Sequence, residues 1–282
     1  MDARTWLGLR PTHNPMRFVL PVTPGISTVG PFLFGGCGLG AAIAALEAAS
    51  GRPVIWATAQ YLSYAHPPSM LDIDVTLAVQ GRSITQGRAV GHVADSEILT
   101  VNAALGTREM ETEGVWVERP DVPPPEACEV RGPRVPGIES IMDRIDVRLA
   151  DARPWEEVAG NPSPDGRSTL WARMPDLLEV SSGASLAILG DYVPFGIGQA
   201  LGRLGGSNSL DNTLRVYRLV PTEWVLLDIR VHAVAHGFGH GAVHLWAEDG
   251  TLLATASQST IVRMVDAAMA EQLASQAFER PV

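Results

Sequence analysis

Residues 66–109 read HPPSMLDIDVTLAVQGRSITQGRAVGHVADSEILTVNAALGTRE, and this stretch decides the fold. Leu71, Ile73, Val75, Leu77 and Val79 alternate with Asp72, Asp74, Thr76, Ala78 and Gln80. That is the two-residue period of a strand with one buried face. Residues 220–263, VPTEWVLLDIRVHAVAHGFGHGAVHLWAEDGTLLATASQSTIVR, repeat the pattern, with Val225, Leu227, Ile229, Val231 and Ala233 on one face. Leu71–Ile73 lies over Leu227–Ile229 at an offset of 156, and Asp95 lies over Asp249 at 154. A shared order of strand, strand, turn and strand at a near-constant offset predicts a duplicated unit.

Each repeat is preceded by an apolar helix. CGLGAAIAALEAAS, between Gly36 and Gly51, is rich in alanine and leucine, nearly free of charge and closed by a glycine. A helix that apolar on most sides must be enclosed by protein. In the second half, SGASLAILGDYVPFGIGQALG at 182–202 predicts another, interrupted by Pro194. Between the halves, residues 117–137 (VERPDVPPPEACEVRGPRVPG) are crowded with proline. Proline removes a ladder donor and fixes φ, so neither a helix nor a central strand is expected there. The expected division is 1–116, a linker at 117–137, and 138–282. One buried helix followed by four long strands, twice over, describes an antiparallel sheet wrapped around central helices.

The bulk properties exclude several functions. The 282 residues carry 21 Lys+Arg against 31 Asp+Glu, a net charge of −10, which opposes sequence-independent nucleic-acid binding. A hydrophobic fraction of 46% with 18% charged residues is that of a folded chain. No run of 18 apolar residues predicts a membrane span, and MDARTWLGLRPTHNP lacks a signal-peptide core, so a cytoplasmic protein is expected. Cys37 and Cys128, the only cysteines, are too few for a disulfide scaffold or a cysteine zinc site.

Several residues carry candidate chemistry. Asp191 follows Leu186, Ala187, Ile188 and Leu189, and an aspartate beside so apolar a run is costly to bury unless it is hydrogen-bonded. It either breaks the helix before Pro194 or has a chemical task. Gln258 shares parity with Leu252, Ala254, Ala256 and Val262, so it is expected on a mostly apolar strand face, as a satisfied core amide or a functional one. Ser209 alone is uninformative.

At residue level the chain resembles the acyl-CoA thioesterase II (TesB-like) family over about residues 17–263. The resemblance rests on Phe34-Gly35-Gly36 opening the first helix, Asp191 in LAILGDYVPF, and Ser209 in SLDNTLRVYR. It rests also on Glu223-Trp224, Asp249-Gly250-Thr251-Leu252 and Gln258 in ASQSTIVR. Cys37 stands where that family commonly has glutamine, and ATAQYLSYAHPP at 57–68 departs from its aromatic and histidine-rich strand segment. The resemblance implies an α+β double hotdog, two antiparallel sheets each wrapped around a buried helix and joined into one continuous sheet. It implies hydrolysis of acyl-CoA to free acid and CoA by a water that Asp191, Ser209 and Gln258 hold, with no covalent intermediate. The oxyanion would be met by backbone N–H groups at a helix start, at Gly35 and Gly36, where the dipole favours negative charge. No cofactor is expected, since coenzyme A is part of the substrate. Self-association into a homo-oligomer is also implied.

Competing features point elsewhere. His232, His236, His240 and His244 recur every four residues, as metal ligands do on a helix, but VHAVAHGFGHGAVHLW is glycine-interrupted and reads as a hairpin. Equal parity then places them on one sheet face, solvated. Cys37 at a helix start is a conceivable thiolate nucleophile, against a small buried helix residue. FGGCGLG has the glycine content of a nucleotide loop without GxxxxGK[ST] or the strand-to-acid context. Arg82, Arg88, Arg131 and Arg134 are available for the CoA phosphates. A non-catalytic acyl-CoA or lipid binder on the same scaffold is the alternative function. A hydratase is a third, disfavoured because the second-half helix region has no D-x-x-x-x-H.

Overall fold

The computed structural model describes residues 1–132, 137–175, 177, 181–203 and 205–264. Among the described residues there are five α-helices: α1 (Ala3–Leu7), α2 (Gly35–Ser50), α3 (Trp155–Val158), α4 (Gly183–Leu189) and α5 (Val193–Leu201). The strands of the first half are β1 (Arg10–Pro11), β2 (Arg17–Val22), β3 (Val54–Tyr61), β4 (Ser69–Gln80), β5 (Ile84–Val93) and β6 (Ser96–Gly106). Those of the second are β7 (Glu129–Val130), β8 (Asp146–Asp151), β9 (Arg167–Arg173), β10 (Gly205–Val216), β11 (Val225–Ala235), β12 (Phe238–Ala247) and β13 (Leu252–Met264).

All thirteen strands form one antiparallel sheet in the order β1-β2-β4-β5-β6-β3-β10-β13-β12-β11-β9-β8-β7. The order is mirrored about the β3–β10 seam. Reading outward, β6, β5, β4 and β2 on one side answer to β13, β12, β11 and β9 on the other. At the seam Thr58 pairs with Thr213, and their hydroxyls hydrogen-bond at 2.7 Å across 155 residues, within the sequence offset of the repeat. This is the α+β double hotdog, with both sheets continuous and the helices on the inner face. Within the proline-rich stretch lie one 3-10 turn (Pro125–Ala127) and β7, a two-residue strand at the sheet's edge. Proline's missing donor is tolerated at such an edge.

The alternating strands supply the inner core. Leu71, Ile73 and Val75 of β4 and Leu227 and Ile229 of β11 are buried on it. The helix α2 is buried continuously from Gly36 to Leu46 and ends on Gly51 at φ +67, whose N–H donates to Glu47 O at 2.9 Å. Two of its glycines permit a close crossing with α4. A Cβ on Gly36 would lie 2.9 Å from Ala187 O and Ile188 Cα, and one on Gly40 would lie 2.8 Å from Ala184 O.

A second, smaller cluster lies on the outer face: Cys128, Trp171, Trp224, Leu226, Trp246 and Leu252. The proline-rich stretch covers it, with Val122 packed on the cluster and Trp171 Nε1 donating to Pro123 O at 2.9 Å. Leu252 was expected on the face of Gln258. The register passes from Leu245–Ala254 to Trp246–Leu252, so Leu253 is an inserted bulge residue and Leu252 turns outward. A one-residue insertion of this kind flips every side chain beyond it.

Candidate active site

Asp191 lies in the three-residue break, Gly190 to Tyr192, between α4 and α5. Gly190 ends α4, and Pro194 occupies the first turn of α5, where its missing N–H costs nothing. The helix expected over 182–202 is thus two helices, and the break turns Asp191 toward the start of α2. Asp191 Oδ2 accepts the Gly36 N–H at 2.6 Å. Its Oδ1 accepts from the Gln258 side-chain amide and, at 3.5 Å, from the Ser209 hydroxyl. Gln258 Nε2 also donates to Ser209 Oγ at 3.1 Å. Gln258 Oε1 accepts the Val193 N–H of the first turn of α5 at 3.1 Å. That contact needs an oxygen, which fixes the amide with its Nε2 toward Asp191.

The three side chains expected to act together, Asp191, Ser209 and Gln258, are therefore brought into one hydrogen-bonded group. Asp191 is 6% exposed and Gln258 3%. Burial pushes the Asp191 carboxyl up to about 7, against the opposing pull of Gln258, Gly36 and Ser209. Desolvation of the charged form outweighs three donors. Ser209 lies within β10 itself, opposite Thr260, and a register shift between Ser209 and Asp211 leaves Leu210 inserted. The bulge puts Ser209 and Asn212 as neighbours on the inner face, where strict alternation would separate them.

Gly35 and Gly36, the expected oxyanion donors, sit at the first turn of α2. The Gly36 N–H is engaged by the Asp191 carboxylate. Gly35 has its carbonyl held by the Tyr61 hydroxyl at 2.8 Å, and a Cβ there would lie 2.8 Å from Asp191 Oδ2 and 3.1 Å from the Tyr61 hydroxyl. Tyr61, at the end of β3, is a site neighbour that sequence reading missed. Its only signal was its place within the departing segment 57–68.

The competing residues lie elsewhere or are inert. Cys37 is fully buried, and burial pushes its thiol well above the ordinary range, so it is no thiolate. The four histidines lie on the β11–β12 hairpin and do not all share a face, although His240 and His244 do. His232 is inserted where the register passes from Val231–Gly241 to Ala233–His240, and His236 occupies the turn at φ +54. His244 Nδ1 lies 3.6 Å from Asp228 Oδ2. Among the described residues no three His, Cys, Asp or Glu side chains group as metal ligands. Arg82 and Arg88 are exposed on β5 and its preceding turn, and Arg134 lies outside the described residues. Of the three that are described, Arg131 comes to the site's edge, over the Phe195 ring of α5 at 5.0 Å. No helix among the described residues is long and apolar enough to cross a membrane.

Comparison with known proteins agrees with this architecture. A solved structure from Novosphingobium aromaticivorans, described as a candidate thioesterase, is 32% identical with a TM-score of 0.80, over 90% of this chain and 98% of that one. A hot dog fold protein of unknown function from Alicyclobacillus acidocaldarius is 20% identical with a TM-score of 0.80, over 93% and 97%. An acyl-CoA thioesterase II from Mycobacterium marinum is 18% identical with a TM-score of 0.71, over 94% and 99%. No curated protein matches. The family model for the acyl-CoA thioesterase C-terminal domain matches residues 119–262, more than half of the sequence, and the chain belongs to that thioesterase family.

Proposed function

We propose that the protein hydrolyses acyl-CoA thioesters, with Asp191 as general base and Ser209 and Gln258 holding the water. The observation that carries this reading is a buried carboxylate, raised to about 7 by burial, whose Oδ1 faces a hydroxyl and an oriented amide. A base with that affinity for a proton is matched to neutral pH. The water enters between the Ser209 hydroxyl, the Gln258 amide and Asp191. Its oxygen forms a bond to the thioester carbonyl carbon as one proton passes to Asp191. Collapse of the tetrahedral adduct breaks the C–S bond, and the proton returns from Asp191 to the leaving sulfur, giving free acid and CoA thiol. The carboxylate ends as it began and no acyl-enzyme forms. Membership of the thioesterase family supports the reaction class. Arg131, at the edge of α5, is the cation best placed for a CoA phosphate.

A thiol-release assay over butyryl- to palmitoyl-CoA tests this. Release with at least one chain length is expected, and burst-free kinetics accompany a mechanism without an acyl-enzyme. Tight binding of acyl-CoA with no thiol release from any member would instead make the protein a binder on this scaffold.

A further inference from the structure

Around Asp191 the polar groups are nearly all engaged with one another. The Gly36 N–H, the Gln258 amide and the Ser209 hydroxyl all serve the carboxylate, and the Tyr61 hydroxyl serves Gly35 O. Asn212 is the amide that is not engaged. It is 0% exposed, and among the described residues neither its Nδ2 nor its Oδ1 has a hydrogen-bond partner. It stands on β10 directly opposite Gln258 of β13, with Ala59 of β3 on its other side. Paired residues on one face of a sheet have Cβ atoms about 5 Å apart. The Tyr61 hydroxyl lies near enough to feel the amide, but without the geometry of a hydrogen bond to it.

A buried amide unmatched at both ends is destabilising in the free protein, and native structures keep few such groups without a reason. Tyr192 and Thr260 carry unpartnered hydroxyls nearby. A hydroxyl can rotate toward a neighbouring acceptor, whereas an amide fixed by its strand rotamer cannot satisfy both ends that way.

We propose that Asn212 is the side-chain donor that receives the thioester carbonyl oxygen, its Nδ2 strengthening that hydrogen bond as the oxygen becomes negative. This rests on the hydrolytic reading of the same site. The attacked carbon must come within about 3–3.5 Å of the water held by Asp191, so its oxygen needs a donor close beside the trio. The Gly36 N–H is engaged by the carboxylate, and among the described residues Asn212 is the side-chain amide left over. The missing partner in the free protein is then the substrate.

Two measurements test it. In Asn212→Leu, kcat should fall roughly 10²–10³-fold with KM changed only a few-fold, the loss expected for one oxyanion donor. The melting temperature should not drop, because the amide has no bond to lose; Asn212→Ala should show the same kinetic split if the leucine does not fit. Separately, the carbonyl stretch of the dethia ketone analogues of butyryl-, octanoyl- and palmitoyl-CoA should shift to lower frequency on binding wild type and shift less in the variants. The infrared arm needs no turnover, so it reports on Asn212 even if Asp191 proves not to be a base. Full kcat in Asn212→Leu and Asn212→Ala overturns the proposal. So does a carbonyl stretch indifferent to the substitution, a lowered melting temperature with the stretch unchanged, or a failure of all three ketones to bind.

Discussion

Asp191 Oδ2 accepts the Gly36 backbone N–H at 2.6 Å across 155 residues of chain. The acid of one half is thereby seated on the first turn of the other half's helix, whose partial positive charge favours an anion. The interaction opposes the burial that raises the carboxyl, and the balance leaves a group that titrates near neutrality.

Asp191→Asn should remove most hydrolysis, by roughly 10²–10⁴-fold, while acyl-CoA binding is largely kept. Asparagine holds the size but cannot take the water's proton as an anion. Gln258→Ala and Ser209→Ala should each lose less, and the double variants should fall short of the product of the single losses, since the three groups serve one water. Steady-state thiol release with a binding isotherm separates the two effects. Near-normal turnover by a well-folded Asp191→Asn would place the chemistry elsewhere.

The pH–rate profile should have an acid limb set by this carboxyl. With the group at about 7, kcat/KM rises as pH increases through neutrality and is lost below it, because the base must be unprotonated. A limb near pH 4 would mean that the essential group is an ordinary solvated carboxylate.

The same group links stability to pH. Asp191 titrates about 7 when folded against an ordinary value of 3.8. Between those values the folded chain holds a proton that the unfolded chain has lost, so this residue's contribution falls as pH rises from 3.8 to about 7 and is constant above. Urea midpoints measured across that window should therefore decline less steeply in Asp191→Asn than in wild type. Parallel curves would show that the carboxyl is not raised in solution.

Gly36→Ala should be destabilising and should also disturb the site. The added methyl would meet Ala187 O and Ile188 Cα at 2.9 Å, and both are backbone atoms that cannot step aside alone. Overpacking of this kind costs about 1–3 kcal/mol, roughly 2–5 °C in melting temperature at this chain length. Gly132→Ala, with nothing within 4 Å of the new methyl, is the control and should melt as wild type does. Equal melting of the two variants would mean that α2 and α4 can separate without cost.

The fold was legible because it rests on periodicity. The alternation in β4 and β11 and the apolar length of α2 are properties of local sequence, and the repeat offset doubled each signal. Local sequence singled out Asp191 and Gln258, but their convergence with Ser209 was legible only through family resemblance, since nothing local says that a helix break, a strand and another strand meet. What stayed hidden depends on backbone irregularity. The insertions at Leu210, His232 and Leu253 each shift parity by one, so Asn212 joins Ser209's face, the histidines scatter and Leu252 turns to the tryptophans. No composition rule announces a bulge. The engagement of the Gly36 N–H was hidden for a different reason: it is a tertiary contact of a backbone atom, which has no signature in residue type.

The near-symmetry of the seam, where Thr58 meets Thr213 at the same 155-residue spacing that separates Gly36 from Asp191, sets a limit on ancestry. Two identical half-chains meeting there would place like opposite like at the helix crossing: glycine against glycine, with no acid, or aspartate against aspartate, with two carboxylates crowded where one now accepts an amide. Only where the two copies differ in sequence can one keep the bare backbone and the other hold the carboxylate. The contact seen here therefore needs two unlike halves, which a single polypeptide supplies in fixed one-to-one proportion.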